Sequence, residues 1–347
     1  MLPETPPAAL RLDLDADALA NNWRALDRLS GTASAGAAVK ADAYGLGAAQ
    51  AVPVLRDAGC RDFFVAHWCE AKALLAYVDS TAISVLHGPL NAAEAAFAKA
   101  IGVRPVINSL HQARLWLEVG GGLCDLMVDT GINRLGLPVS ALGDDAVMAL
   151  DVDVLLSHLA SADEDSPLNA LQCSRWQDAR RHVKHRRGSL ANSAGIALGP
   201  DYHGELTRPG LSLYGGVARP EMADDIRQVA QLKAAIMQVR DVAAGDGVGY
   251  NSTFIAEQPV RAGVIALGYA DGYLRGWSGK GTMLSAGRRL PVLGRVSMDM
   301  TVIDLSAAPE LVEGDWVDVD YALPAASAAS GLSQYELLTL LGDRFGR

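Results

Sequence analysis

The sequence predicts an α/β protein in two parts: an N-terminal (β/α)8 TIM-like barrel over residues 1–228 and a C-terminal, mostly antiparallel β domain over residues 229–347. Three observations lead there. Eight short apolar runs of β character recur through the first two thirds, roughly 20 to 35 residues apart, with helix-prone Ala/Leu-rich segments between them. After about residue 228 that rhythm gives way to alternation punctuated by Gly-rich turns. The length of 347 residues is also two domains' worth of chain, one domain taking about 150 residues.

In order, the strands are read as Ala37–Val39 ending at Lys40, Phe63–Ala66 at His67, Ile83–Leu86 at His87 and Pro105–Ile107 at Asn108. Leu126–Val128 ends at Asp129 and Val154–Leu156 at Ser157, and Ser189–Ala191 and Leu211–Tyr214 complete the eight. Segments such as Asn91–Ala98 and His111–Leu117 supply the helices. An open doubly wound sheet is the alternative, but it accepts five or six such units rather than eight. In the second part Val260–Leu267 and Trp316–Asp320 alternate, with turns at 244–247, 277–281 and 313–315. Ala322–Gly331 reads as an Ala/Ser-rich surface loop, and Ser333 with Glu336 marks the capped start of a last helix.

Half the residues are hydrophobic and 20% are charged, so a chain of this size needs neither disulfides nor metal to hold a core. The net charge of −10 comes with no basic stripe, which excludes nucleic acid and anionic membrane as partners. The run Arg180–Arg187 reads as the polar face of one helix. Cys60, Cys69, Cys124 and Cys173 form no CxxC pair. His67-Trp68-Cys69 is half of a metal site with no second cluster to complete it, so no metal is expected. The opening Met1–Pro7 lacks the charged and apolar regions of a signal peptide, and no apolar run reaches about 18 residues. A soluble, cytoplasmic protein is expected.

Barrel enzymes place their chemistry at the C-terminal ends of the strands. Lys40 follows the first strand, flanked by Ala38, Val39 and Ala41. It reads equally as a Schiff-base lysine or as a lysine snorkelling at the rim. The last two strands end near Asn192-Ser193-Ala194-Gly195 and Arg208-Pro209-Gly210-Leu211, small residues whose backbone N–H groups can cradle a phosphate. A lysine facing a phosphate cradle points to pyridoxal 5'-phosphate.

The segment Ala38–Gly47, with Lys40 and Tyr44, resembles the cofactor-lysine motif of alanine racemases. Val128–Gly136, Ser157–Asp163, Asn192–Ala194, Arg208–Gly215, Val248–Tyr250, Leu267–Gly272 and Gly294–Asp299 resemble further motifs of that family, in the same order. The resemblance covers essentially the whole chain. It implies that Lys40 holds pyridoxal phosphate covalently and that Lys40 and Tyr250 are the two catalytic acid/base groups, Tyr250 reaching in from the second subunit of a homodimer. A phenol is a poor base at neutral pH, so His158 and Arg208 are the expected source of charge or hydrogen bonds favouring its phenolate. The resemblance assigns Arg208 to the pyridine nitrogen, and Tyr44, Ser193, Gly210 and Leu211 to the phosphate. Arg134 and the Met298 backbone are assigned to the substrate carboxylate. Tyr269, Asp163, Arg275 and Arg295 are assigned to a narrow access channel.

Three positions depart from the pattern. Met127 stands where many members carry a carbamylated lysine that steadies the substrate arginine, which leaves Arg134 to find another partner. Asp343 stands where many carry a phosphate-binding tyrosine, and it is expected to point away from the anion. Asn251 stands where glycine is commoner, beside Tyr250. The implied activity is interconversion of L- and D-alanine, supplying D-alanine for peptidoglycan. The alternatives are a racemase of serine or of broad specificity, or a non-catalytic pyridoxal phosphate binder. Decarboxylases of this fold place a cysteine motif in the C-terminal domain, and here no cysteine follows Cys173.

Overall fold

A computed structural model describes residue 3 and residues 6–346. Met1, Leu2, Glu4 and Thr5 lie outside the described residues, and with them most of the segment read for a signal peptide, as does Arg347. The chain forms two compact units: residues 16–227, and a second unit joining the residues before 16 to residues 228–347.

In the first unit the strands pair in parallel in chain order. The first is Ser34–Ala35 and Ala37–Ala38, interrupted at Gly36; Phe63–Val65, Ile83–Val85, Arg104–Ile107, Leu123–Asp129, Asp151–Leu156 and His185–Ser189 follow. The eighth, Leu206–Thr207, pairs back onto Ser34–Ala35. It is tied to the seventh by Glu205 N–H to the Gly188 carbonyl at 3.0 Å and Arg208 N–H to the Ala191 carbonyl at 2.8 Å. These bonds close the barrel. The intervening helices begin at side-chain caps that take up free backbone N–H groups: Asn91, Ser109, Asp144, Ser166 and Asn192. Phe64, Val106, Met127, Val154, Leu156 and Leu206 fill the middle of the barrel.

Two strands differ from the sequence reading. The seventh lies at His185–Ser189, earlier than Ser189–Ala191, so Arg180–Arg187 is not one helix face: the helix Pro167–His182 ends within that run, whose last residues enter the strand. Arg187 instead reaches Asp62 and Asp153 at 2.8 and 2.7 Å. Leu211–Tyr214 is a buried 3-10 turn closed by Gly215, not a strand. A fully buried apolar run does not announce its own conformation.

In the second unit a seven-stranded antiparallel sheet runs in the order Leu10–Leu14, Ala230–Val242, Val260–Ile265, Thr301–Asp304, Arg288–Leu293, Thr282–Ser285, Trp316–Val319. Trp316–Val319 also pairs with Ala230–Val242, closing the sheet on itself. Leu10–Leu14, grouped with the barrel by the division at residue 228, pairs in this sheet with Leu12 opposite Leu232. The Ala/Ser stretch expected to be a loop is the helix Leu323–Ser330, started by Pro324 in its first turn and stopped at Gly331. The last helix, Gln334–Thr339, carries the Ser333/Glu336 capping box. No helix among the described residues is long and apolar enough to cross a membrane.

Candidate active site

Lys40 ends the first barrel strand, and the chain then winds the wrong way. Ala41, Asp42, Ala43 and Tyr44 all have φ between 53° and 57°, a complete left-handed turn without a single glycine. Each such residue costs about 1–2 kcal/mol. The turn survives because its polar groups are engaged. Gly45 N–H reaches the Ala41 carbonyl at 2.8 Å and Gly47 N–H the Asp42 carbonyl at 2.9 Å. Asp42 Oδ1 accepts from Ala48 N–H at 2.7 Å, and Glu70 Oε1 accepts from Ala41 N–H at 2.6 Å. The Tyr44 ring packs on Tyr214, centroids 4.9 Å apart, and the Tyr214 hydroxyl donates to the Ala38 carbonyl.

This winding carries the Tyr44 hydroxyl to Gly210. A Cβ at Gly210 would lie 2.2 Å from that oxygen, so only glycine fits. Beside it, Ser193 Oγ accepts from the N–H groups of Gly210 at 2.9 Å and Ser212 at 3.2 Å. Leu211 opens the 3-10 turn at this spot, and the buried Ser212 hydroxyl has no partner among the described residues. Tyr44, Ser193, Gly210 and Leu211 are therefore brought together, as a buried set of donors with no carboxylate.

Arg208 is buried and in no ion pair among the described residues. Its guanidinium donates to the carbonyls of Ser189 and Ser157 and to the Ser189 hydroxyl. Burial pulls its pKa down to about 10, which still leaves it cationic at neutral pH. His158, after the sixth strand, is pulled down to about 3 by burial and by Arg208, Arg134 and Lys40. With its pKa there it carries no charge at neutral pH, so of the charge or hydrogen bonds expected from His158 and Arg208 it can offer the hydrogen bonds. Lys40 is held below its ordinary value by burial and Arg134, with Glu70 acting in the opposite sense.

Arg134 lies exposed on a loop shaped by Asp129, whose Oδ1 accepts from the N–H groups of Gly131, Ile132 and Asn133. Arg134 is in no ion pair among the described residues, and Met127 sits in the apolar barrel interior. Sequence reasoning missed Glu70 and Gln172. Buried Gln172 donates to the His158 carbonyl at 3.0 Å and to Thr130, and accepts from Ala160 N–H at 2.9 Å, tying together the loops after the fifth and sixth strands. Glu70 was findable: it stands three residues after the helix cap His67, the spacing of a capping box. Nothing local marks Gln172. Asp163 is exposed on the loop after His158.

Tyr250, Tyr269, Met298, Arg275 and Arg295 belong to the second unit. Tyr250 is 64% exposed and follows Gly249, while Asn251 has φ 61°, the left-handed conformation that glycine and asparagine tolerate best. Tyr269 N–H reaches the Ser297 carbonyl and Ala270 N–H the Met298 carbonyl, at 3.0 and 2.9 Å, so these two loops share backbone bonds. The Arg275 guanidinium lies 5.4 Å from the Tyr269 ring centre. Arg295 is half-buried, and Asp343 is exposed while its neighbour Arg344 pairs with Asp271 and Asp299. The His67 and His87 rings meet edge to face at 4.4 Å, and no cluster of three or more metal-ligating side chains occurs among the described residues.

Residues 14–218 match the family model of the alanine racemase N-terminal domain and residues 229–347 that of the C-terminal domain. The chain is 40% identical to the alanine racemase of Methylobacterium nodulans, over 97% of this chain and 95% of that one. It is 40% identical to the biosynthetic alanine racemase of Agrobacterium fabrum, over 98% and 93%. Among solved structures, the alanine racemase of Bartonella henselae with covalently bound pyridoxal phosphate superposes with a TM-score of 0.90 at 32% identity, covering 98% of this chain and 99% of that one. The biosynthetic alanine racemase of Pseudomonas aeruginosa follows at 0.86 and 33%, covering 99% of both. With both domain models matched in order and relatives aligned end to end, the chain belongs to the alanine racemase family.

Proposed function

We propose that the protein interconverts L- and D-alanine with pyridoxal 5'-phosphate as cofactor, by a two-base racemisation. The observation that carries this reading is the barrel mouth itself. A lysine with a depressed pKa stands beside a buried donor cradle suited to a phosphate, and a buried guanidinium in no ion pair among the described residues lies nearby. Those residues fit the cofactor: Lys40 Nζ to hold its aldehyde carbon, Tyr44, Ser193, Gly210 and Leu211 to bind its phosphate, Arg208 to face its ring nitrogen. When bound, pyridoxal phosphate withdraws electrons from the substrate Cα, so that the Cα proton becomes removable at neutral pH.

The chain's own residues do the rest. Arg208 cannot usefully release a proton, so it leaves the ring nitrogen unprotonated and restrains side reactions such as transamination. His158, uncharged at neutral pH through burial and the nearby cations, would help hold the cofactor without adding charge. Arg134 and the Met298 backbone orient the substrate carboxylate, and Lys40 Nζ and Tyr250 Oη move protons on opposite faces of Cα. Tyr269, Asp163, Arg275 and Arg295 narrow the access route. Tyr250 acts across a homodimer interface in the cytoplasm, and the D-alanine formed supplies peptidoglycan.

The test is incubation of the cofactor-loaded protein with L- or D-alanine in D2O, following loss of the α-proton signal by NMR with chiral analysis of the product. Exchange with inversion is expected, abolished in Lys40→Ala and lost from one enantiomer in Tyr250→Phe. Faster turnover of serine or a larger amino acid would move the substrate assignment. No exchange with any amino acid would overturn the racemase reading.

A further inference from the structure

Glu70 lies in the first turn of the helix Trp68–Leu74, and its carboxylate serves both its own helix start and the end of the neighbouring first strand. Oε2 accepts from the N–H groups of Ala66 at 2.7 Å and His67 at 2.9 Å, at the end of the second barrel strand. Oε1 accepts from Ala41 N–H at 2.6 Å, the residue directly after Lys40 and the first of the left-handed turn. One rigid group with two acceptor oxygens thus spans two strand ends. A strained turn of four non-glycine residues relaxes unless something outside it holds it.

We propose that Glu70 is a positioning residue for the reaction, its carboxylate locking the left-handed turn behind Lys40 onto the end of the second strand and so aiming the lysine into the site. This rests on the reading of Lys40 as the cofactor lysine. The electrostatics run the same way. The groups facing Lys40 are Arg134 after the fifth strand, Arg208 at the eighth, His158 after the sixth and His87 after the third. Against them Glu70 is the anion that favours the Lys40 ammonium. Only a carboxylate does both jobs. A glutamine offers one acceptor oxygen and would turn its NH2 toward an N–H donor.

The experiment uses the full-length chain stripped of cofactor with hydroxylamine. Lys40 acetylation by limiting acetic anhydride is followed against pH by peptide mass spectrometry, and pyridoxal phosphate uptake is titrated separately. In Glu70→Gln, Lys40 should titrate at lower pH than in the unsubstituted chain, because the anion favouring its ammonium is gone. Pyridoxal phosphate should bind about tenfold more weakly, the worth of lost bonds to a charged acceptor. Glu70→Asp keeps the charge but cannot span both strand ends, so its Lys40 titration should stay near the parent's while affinity still falls. A merely structural role would lower the melting temperature without moving the Lys40 titration. A folded Glu70→Gln with both readouts unchanged overturns the proposal. If that variant does not fold, a folded Glu70→Asp with unchanged cofactor affinity overturns it. Borohydride fixation of the cofactor on a residue other than Lys40 would defeat the cofactor assignment instead, and the acetylation profile, which needs no cofactor, would separate the two failures.

Discussion

Toward the N-terminal ends of the barrel strands, Arg104 and Arg187 face Asp62, Asp125 and Asp153; at the C-terminal ends, Lys40, Arg134 and Arg208 enter no ion pair among the described residues. The lower cluster pairs its charges within itself, although Arg104 Nε, 3.7 Å from Asp125 Oδ1, has no hydrogen-bond partner among the described residues. Arg104 reaches Asp62 and Asp153 at 2.9 and 2.8 Å, and Asp125 takes the Ser84 hydroxyl at 2.6 Å and Val154 N–H at 3.1 Å. The mouth is arranged to be satisfied by something else. Burying a charge without its partner costs several kcal/mol, so a fold that does so at one end and avoids it at the other is storing electrostatic potential for an anionic ligand.

Removing one arginine from each end should separate the two roles, and this is the largest effect expected. Arg104→Met strips the buried carboxyls of a shared partner and should destabilise the protein by about 3–5 kcal/mol, with activity per folded molecule retained. Arg208→Met should cost less stability, because no carboxylate is orphaned, while activity falls sharply. Chemical denaturation and turnover measured on both variants check this. Equal destabilisation by the two changes would erase the distinction between the ends.

Acid should sharpen the comparison. His158 has its folded pKa depressed from 6.5 to about 3, so its neutral burial contributes stability above pH 6.5, lost progressively as pH falls toward 3. In the lower cluster burial works against the Asp62 carboxylate, but the Arg187 and Arg104 contacts hold its pKa below 3.8. Its contribution is therefore complete above that value and lost only below it. Asp125, raised by burial, runs the other way, being most stabilising when protonated. The melting temperature of the cofactor-free protein should thus fall between pH 6.5 and 4, and His158→Asn should flatten that slope. An unchanged slope in the variant would place the acid sensitivity elsewhere.

Met127 joins the two regions, since it lies in the apolar layer between them and its side chain packs under the Arg134 loop, where a Cβ at Gly136 would come within 3.0 Å of its Cγ. In Met127→Lys the inserted amine stands where many family members carry a carbamylated lysine. If it is carbamylated, Arg134 gains the anion it lacks, and KM for alanine should fall about two- to fivefold, the worth of one steadied ion pair. An unchanged KM would mean that Arg134 needs no partner.

How far the sequence reached follows from the same contrast. Phe63–Val65 was legible because burial on both faces leaves an unbroken hydrophobic run, and Ile83–Val85 because only the small Ser84 interrupts one. The strand His185–Ser189 was not, because Arg187 turns its charge inward to Asp62, a partner distant in sequence. Leu10–Leu14 shows strand alternation, but nothing local tells that its partner is the run Ala230–Ala234. At the site, Lys40, Arg208 and the small-residue loops at 192–195 and 208–211 stood out by position at strand ends. The left-handed turn did not, since Ala41-Asp42-Ala43 looks like ordinary helix. Its conformation depends on Glu70 from the helix that follows the second strand.

The smallest effect is expected at Asn251. The change from the commoner glycine lies next to Tyr250 and invites a reading as a shift in substrate preference. The backbone offers a plainer account. Residue 251 has φ 61°, and asparagine is among the few side-chain-bearing residues that adopt that conformation readily. Asn251→Gly should therefore change stability by no more than a few tenths of a kcal/mol, the relief at positive φ offsetting the added freedom of the unfolded chain. The ratio of kcat/KM for alanine to that for serine should stay the same. If that ratio moves severalfold while stability does not, the Asn251 side chain reads the substrate, and specificity in this chain is set from the β domain as well as from the barrel mouth.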